Sequence, residues 1–272
     1  MKASINNTQI AYSDHGIGLP VIFLHAFPLN RTMWDGEMLP LLAEQRYRLI
    51  SLDWRGFGES DIPGEISTME VLAGDVIALV DHLGIEKAVL CGLSMGGYVA
   101  FACLRQYARR IAGLILADTR PAADTPERQA NREDVARLAE TQGTTAIADL
   151  QLPRLISDYT RQHDPMVETR IRQMINAATV PGIAAASRGM ALRADSSDLL
   201  AGITCPTLVI AGEQDALIPP SEAQAYAARI PNARFVSIPY AGHLSNLEQP
   251  GAFLTAISDF LQSLINIHDQ DR

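Results

Sequence analysis

The chain has 272 residues, of which 47% are hydrophobic and 19% charged, and this composition excludes a disordered protein. Its 22 lysines and arginines against 31 aspartates and glutamates leave a net charge of −9. That balance argues against nucleic acid or an anionic membrane as the main partner and favours a small-molecule ligand. The composition says nothing about the oligomeric state.

Short apolar runs rich in Val, Ile and Leu recur along the chain and are typical of strands that are covered on both faces. The predicted strands are 21–24, 48–52, 88–91, 113–117, 207–211 and 234–238. Apolar residues at helical spacing predict helices between and after them, at 69–83, 98–109 and 253–267. This alternation predicts the α/β class, with a mostly parallel, doubly wound sheet between layers of helices.

The pattern changes between residues 120 and 200, where strand signals disappear. Helical stretches of mixed charge take their place, at 127–142, 144–159 and 166–178. A segment of this length between two strands is too long for a loop. We therefore expect a helical lid at 120–200, inserted into a core that consists of 1–119 and 201–272.

A Gly-Leu-Ser-Met-Gly sequence, residues 92–96, directly follows one predicted strand and precedes a helix. In this strand, turn and helix frame, a G-x-S-x-G motif lifts a serine hydroxyl out of a tight turn. Glycines at both ends allow the close approach, and the helix N-terminus adds a positive dipole. The motif predicts Ser94 as a nucleophile; the alternative is a serine that merely begins a helix.

A serine nucleophile needs a base, and the base needs a carboxylate that orients it. His243 follows the strand at 234–238, and Asp215 follows the strand at 207–211, so both are expected at the carboxyl edge of the sheet. The order Ser, Asp, His along the chain is that of known hydrolases with this motif. Asp118 is the alternative acid, and its other possible role is to cap the turn into the insertion.

The negative charge that develops during acyl transfer needs hydrogen-bond donors. Two backbone N–H groups are predicted for this role, those of Met95, directly after the serine, and of Phe27, in the loop after the first predicted strand.

Several other kinds of site find no support in the sequence. It contains no H-E-x-x-H motif, no P-loop and no G-x-G-x-x-G after a strand, so we predict no metal and no cofactor. Its three cysteines, Cys91, Cys103 and Cys205, are too few and too scattered for a disulfide framework. The first residues lack the apolar region of a signal peptide, and no apolar stretch is long enough to span a bilayer. We expect a cytoplasmic protein that does not bind membranes.

These motifs together resemble the α/β-hydrolase superfamily, and within it the lidded carboxylesterases and 3-oxoadipate enol-lactonases. The resemblance is carried by residues 25–29, 53–60, 92–97, 212–215 and 242–243. It implies that Ser94, Asp215 and His243 form a catalytic triad and that Phe27 and Met95 form the oxyanion hole. Ala26 departs from the pattern, because the family usually has glycine there.

The predicted function is hydrolysis of small carboxylic esters with short to medium acyl chains through an acyl-enzyme. One alternative is lactone hydrolysis similar to that of the enol-lactonases, whose substrate carboxylate calls for an arginine of the lid. The candidates are Arg120, Arg128, Arg132 and Arg154. A perhydrolase or cofactor-free haloperoxidase would use the same triad, and outside this class stands a non-catalytic ligand receptor on a hydrolase scaffold.

Overall fold

The computed structural model of the chain describes residues 1–62, 64 and 66–270, and the side chains among them up to residue 266. Its strands are β1 (Lys2–Ile5), β2 (Thr8–Gly16), β3 (Leu19–Leu24), β4 (Tyr47–Leu52), β5 (Ala88–Leu93), β6 (Ile111–Ala117), β7 (Thr207–Gly212) and β8 (Arg234–Ile238). They form one sheet in the order β1-β2-β4-β3-β5-β6-β7-β8. Strand β2 runs antiparallel to both of its neighbours, and every pair from β4 to β8 is parallel. The predicted mostly parallel α/β sheet is confirmed.

The six predicted strands are β3 to β8, and the β1–β2 hairpin was not predicted. The central strands are buried along nearly their whole length, which is why each shows as a continuous apolar run. Strand β1 alternates exposed and buried residues, and much of β2 is exposed or half-buried. Antiparallel strands at the edge of a sheet keep one face in water, so their polar residues hide the strand signal.

Helices cover both faces of the sheet and fill the segment between β6 and β7. They are α1 (Asp35–Ala43), α2 (Met69–His82), α3 (Met95–Tyr107), α4 (Pro126–Leu155), α5 (Asp158–His163), α6 (Pro165–Ala177), α7 (Val180–Ala191), α8 (Pro220–Ala227), α9 (Ser245–Glu248) and α10 (Pro250–Gln270). No helix among the described residues is both long and apolar enough to cross a membrane.

The segment between β6 and β7, all of it described, contains helices α4 to α7 and no strand. The predicted helices 127–142 and 144–159 are largely the two halves of α4, which kinks at Gly143, where φ is 79°. Helix α7 was not among the predicted helices. Each of these four helices is capped by a side-chain oxygen that accepts a backbone N–H of the first turn. The capping residues are Thr125, Ser157, Asp164 and Thr179. Whether residues 120–200 act as a lid stays a prediction.

Candidate active site

Ser94 lies in the tight turn between β5 and α3. Its φ of 54° and ψ of −112° place a non-glycine residue in a strained region of the backbone map. A Cβ atom on Gly92 would lie 2.4 Å from the carbonyl oxygen of Gly96, and one on Gly96 would lie 2.0 Å from that of Leu24. Only glycine lets the helix pass this close to the strands, and the turn therefore presents the Ser94 hydroxyl at the carboxyl edge of the sheet.

Ser94, His243 and Asp215 form a continuous chain of hydrogen bonds. The Nε2 atom of His243 lies 2.8 Å from the Oγ of Ser94, and its Nδ1 lies 2.8 Å from Oδ2 of Asp215. A carboxylate can only accept, so Nδ1 carries the ring proton and Nε2 is left to accept from the serine hydroxyl. The Oδ1 atom of Asp215 accepts from the backbone N–H groups of Leu217, at 2.8 Å, and Ile218, at 3.0 Å. The Asp215 carboxylate is thus held on both oxygens.

Two opposing effects act on the pKa of His243, whose imidazole is almost completely buried. Burial by itself lowers this pKa, since the charged form loses its hydration. The adjacent Asp215 carboxylate, helped by more distant charges, outweighs burial and raises the pKa above its usual value. The groups around the ring therefore favour its protonated, imidazolium form.

Asp118, the alternative acid, lies close to this chain but does not bond to His243. Its Oδ1 accepts from the N–H of Gly212 at 2.7 Å, and its Oδ2 is bonded to the Ser245 hydroxyl. Burial, followed by the nearby charge of Asp215, raises the pKa of Asp118 well above its usual range. The structure brings Asp215 to the imidazole, while Asp118 joins the end of β7 to the first residue of α9.

A second histidine, His25, supports the loop that carries Phe27. Its Nε2 accepts from the backbone N–H of Trp54 at 3.0 Å, so its Nδ1 carries the proton and donates to the carbonyl of Ala26 at 2.9 Å. Burial lowers the pKa of His25 to about 4, which keeps the ring neutral. Both ring nitrogens of His25 are thus engaged by the backbone, which fixes the loop that carries Phe27.

The two backbone groups expected to form the oxyanion hole have free N–H donors. Within the described part of the chain, neither the N–H of Phe27 nor that of Met95 donates to an acceptor. Ala26 does not have a positive φ, so the change from the family's glycine introduces no strain there.

Ser94 and His243 open onto a cavity of about 350 Å³. Its walls come from the carboxyl edge of the sheet and from α4 and α7. The lining residues are Phe27, Ser94, Tyr98, Arg120, Asp124, Arg128, Asn131, Arg132, Val135, Gln151, Arg154, Leu155, Met190, Ala216, Leu217, Ile218 and His243. All four arginines singled out in the sequence are among them.

The cavity carries an excess of positive charge, since its described lining contains these four arginines and one carboxylate, that of Asp124. Asp124 is paired with Arg132 at 3.1 Å and with Arg193 at 2.8 Å, and Arg120 is paired with Glu222 at 3.3 Å. Arg128 and Arg154 form no ion pair with any residue that the structure describes. The chain as a whole has a net charge of −9, so the positive charge of this cavity is opposite in sign to that of the protein.

No group of three or more histidine, cysteine, aspartate or glutamate side chains within the described ranges is arranged to hold a metal ion.

Comparison with known proteins agrees with this fold. A family profile described as the alpha/beta hydrolase fold matches residues 20–250. A solved structure of a thermophilic esterase from Thermogutta terrifontis, in a malate-bound form, is 46% identical, with 97% of this chain and 98% of that chain covered and a TM-score of 0.93. The enol-lactonase from Burkholderia xenovorans LB400 is 32% identical over 96% of this chain and 100% of that chain, with a TM-score of 0.89. The 3-oxoadipate enol-lactonase 1 of Acinetobacter baylyi is 31% identical over 90% of this chain and 89% of its own length. The chain therefore belongs to the α/β-hydrolase family and is a hydrolase.

Proposed function

We propose that the protein is a carboxylesterase in which Ser94 is the nucleophile, His243 the general base and Asp215 the acid that orients it. The observation that carries this proposal is the hydrogen-bond chain from Ser94 through His243 to Asp215, which opens onto a cavity. The thermophilic esterase that is 46% identical to this chain supports it.

In the proposed reaction, the Ser94 oxygen attacks the ester carbonyl while its proton moves to Nε2 of His243. Asp215 stabilises the imidazolium, and the N–H groups of Phe27 and Met95 bind the negative oxygen of the tetrahedral intermediate. His243 then gives the proton to the departing alkoxide, which leaves an acyl group on Ser94. A water molecule, deprotonated by His243, attacks that acyl group, and His243 returns the proton to the Ser94 oxygen as the bond between this oxygen and the acyl carbon breaks and the acid leaves.

The size of the cavity favours small substrates. A volume of about 350 Å³ is at the lower end of the range that small-molecule sites occupy. Val135 and Leu155 on α4, together with Met190 on α7, supply apolar wall for an acyl chain. In this proposal residues 120–200 are a lid in the sense that they complete the substrate cavity above the sheet.

The test is steady-state hydrolysis of p-nitrophenyl esters from acetate to dodecanoate by the parent protein, Ser94→Ala and Ser263→Ala. Ser263 is a matched control, because its hydroxyl bonds only the backbone of α10. We expect a maximum at short chains, and a loss of at least about 10⁴-fold in kcat for Ser94→Ala alone. Labelling by a fluorophosphonate should follow the same pattern. A parent protein that neither turns over esters nor reacts with the probe would support the receptor instead.

A second candidate function is hydrolysis of a lactone or ester that carries a carboxylate, similar to the reaction of the enol-lactonases. The observation that favours it is the arginine-rich lining of the cavity. Guanidinium groups bind carboxylates through charge-assisted hydrogen bonds, and arginines that form no ion pair with the described residues have donors available for a ligand. We propose Arg128 and Arg154 for this role, since Arg120 and Arg132 already pair with carboxylates of the chain.

This candidate is tested with p-nitrophenyl hemisuccinate and p-nitrophenyl butyrate, beside a panel of lactones and enol-lactones. The two esters share the p-nitrophenolate leaving group, and only the acyl group of the hemisuccinate carries a negative charge. Arg128→Gln and Arg154→Gln should lose about tenfold to hundredfold in kcat/KM for the hemisuccinate and little for the butyrate. Arg137→Gln, an exposed arginine on α4 that does not line the cavity, is the control. Equal losses on both substrates would contradict a carboxylate site. Perhydrolysis, with peroxide in place of water, uses the same triad and stays a prediction.

A further inference from the structure

Glu248, the last residue of α9, places a buried carboxylate between His243 and the inserted helices. Its Oε1 accepts from the backbone N–H groups of Gly242, at 2.9 Å, and Leu244, at 3.2 Å, the two neighbours of His243. Its Oε2 accepts from the N–H of Ser157 at 2.7 Å and from the hydroxyl of Thr160 at 2.8 Å. One oxygen thus faces residues 240–244, the histidine loop, and the other faces residues 155–160, the α4–α5 corner.

The histidine loop and the α4–α5 corner are also in direct contact. A Cβ atom on Gly242 would lie 2.6 Å from the backbone nitrogen of Ser157, so the two backbones pass as close as a glycine allows. The N–H of Leu244 donates to the carbonyl of Leu155 at 3.1 Å. The hydroxyl of Ser157 donates to the carbonyl of Tyr240 at 2.9 Å. Glu248 therefore completes a junction in which each side limits the position of the other.

The chemistry of this junction requires a carboxylate. Burying a charged group is costly unless hydrogen bonds replace its hydration, and here four donors do so. Glu248 has no cationic partner among the residues that the structure describes. A glutamine would place its NH₂ group against two donors on one side of the junction, and an NH₂ group cannot accept their hydrogen bonds. The charge and the two acceptor oxygens are both needed, although neither oxygen touches the proposed reacting atoms.

We propose that Glu248 is a positioning residue that holds His243 in line with Ser94 by tying the histidine loop to the α4–α5 corner. The inference rests on the proposed role of His243 as the base. The corner begins at Leu155, which lines the substrate cavity beside Arg154. A ligand that contacts this end of α4 therefore touches a segment that is bonded directly to the loop of the base.

This arrangement has a consequence for the titration of His243. The carboxylates near the ring come from three elements, the loop after β7, the end of β6 and α9, and all three raise its pKa. They are Asp215, Asp118 and Glu248. The charged groups on the cavity side are Arg120, Asp124, Arg128, Arg132 and Arg154. Removing the Glu248 charge should lower the pKa of His243. Since the neutral ring is the base, the acid limb of the kcat/KM profile should move to lower pH.

The test compares Glu248→Gln and Thr160→Val with the parent and with two controls on α6, Glu168→Gln and Thr169→Val. The Thr169 hydroxyl bonds only its own helix, to the carbonyl of Pro165. Hydrolysis of p-nitrophenyl butyrate is measured well below the unfolding temperature of each variant, as kcat and KM across pH. The pKa of the His243 ring is measured separately by NMR titration, which needs no turnover.

We expect a fall of about tenfold or more in kcat for Glu248→Gln, with little change in KM, because a displaced base slows the chemical step. In Glu248→Gln, the acid limb of the kcat/KM profile should move to lower pH and the pKa of His243 should fall. Thr160→Val should lower kcat and leave the pKa of His243 unchanged. A Glu248→Gln protein with the kcat and ring titration of the parent would overturn the proposal. An unimpaired Thr160→Val would overturn the link to the α4–α5 corner. If the parent hydrolyses no ester, the proposed function fails, and the NMR titration still decides the role of Glu248.

Discussion

Replacing Asp215 by asparagine tests the proposed triad at its most specific point. The Oδ1 position faces the N–H groups of Leu217 and Ile218, so the amide oxygen of an asparagine is expected there. The amide NH₂ then occupies the Oδ2 position and faces Nδ1 of His243. Two donors cannot bond to each other, so the ring takes the tautomer with its proton on Nε2. In that form Nε2 points a proton at Ser94 and cannot accept one.

The expected loss is large because the base is present but holds its proton on the wrong atom. In serine hydrolases with this arrangement, the same change lowers kcat by roughly 10⁴-fold, which corresponds to about 5 kcal/mol of transition-state stabilisation. The fold should survive, since the amide retains the shape of the carboxylate and its bonds to the backbone of 217–218.

Asp118→Asn is the matched control, because Asp118 is equally buried and also close to His243. Its amide oxygen can accept from the N–H of Gly212, and its NH₂ can donate to the Ser245 hydroxyl, so the change loses only the long bond, at 3.4 Å, from the backbone N–H of Ser245. Burial favours the neutral form of this carboxyl, and a neutral amide resembles that form. We expect Asp118→Asn to remain within about tenfold of the parent in kcat.

The assay is p-nitrophenyl acetate hydrolysis with burst-phase measurement of acyl-enzyme formation, beside circular dichroism of each variant. The proposed role of Asp215 is contradicted if Asp215→Asn keeps a kcat within about tenfold of the parent, or if Asp118→Asn is the more impaired of the two. The second result would assign the role of the acid to Asp118.

Three further predictions concern pH and packing. Because the pKa of His243 is raised, a pH profile of kcat/KM should fall with decreasing pH through a midpoint above 6.5. A midpoint below 6.5 would contradict the influence of Asp215 on this pKa. Burial raises the pKa of Glu37 from 4.5 to about 8, so the folded protein binds this proton more tightly than the unfolded chain does. The free energy of unfolding should therefore fall as the pH rises from 4.5 to about 8, by about 1.4 kcal/mol per pH unit and about 5 kcal/mol in all. Denaturant unfolding at several pH values should show that Glu37→Gln removes this decline, and an unchanged slope would argue against it. Gly96→Ala should lower the unfolding temperature and abolish activity, because its Cβ would collide with the Leu24 carbonyl. Gly251→Ala, with open space around its Cβ, should leave the unfolding temperature and the activity close to those of the parent.

The parts of this protein that the sequence predicts are those whose signal is local. The central strands are recognisable because burial on both faces demands a continuous apolar run. The turn at Ser94 is recognisable because a close approach of helix and sheet demands Gly92 and Gly96. His243 and Asp215 follow from their places after two neighbouring parallel strands, since the carboxyl ends of parallel strands meet at one edge.

What the sequence left open depends on distances between residues far apart in the chain. Two aspartates follow neighbouring strands, and only the direction of the side chains places Asp215 rather than Asp118 on the imidazole. Four arginines could be named but not ranked, because their pairing depends on carboxylates elsewhere, such as Glu222 for Arg120. Glu248 carries no motif, and two of the donors that hold it belong to the α4–α5 corner, among them the N–H of Ser157, which is 91 residues away in the sequence. Sequence patterns record which face of an element is buried, whereas hydrogen bonds between buried polar groups depend on the packing of whole elements, and only the tertiary structure decides that packing.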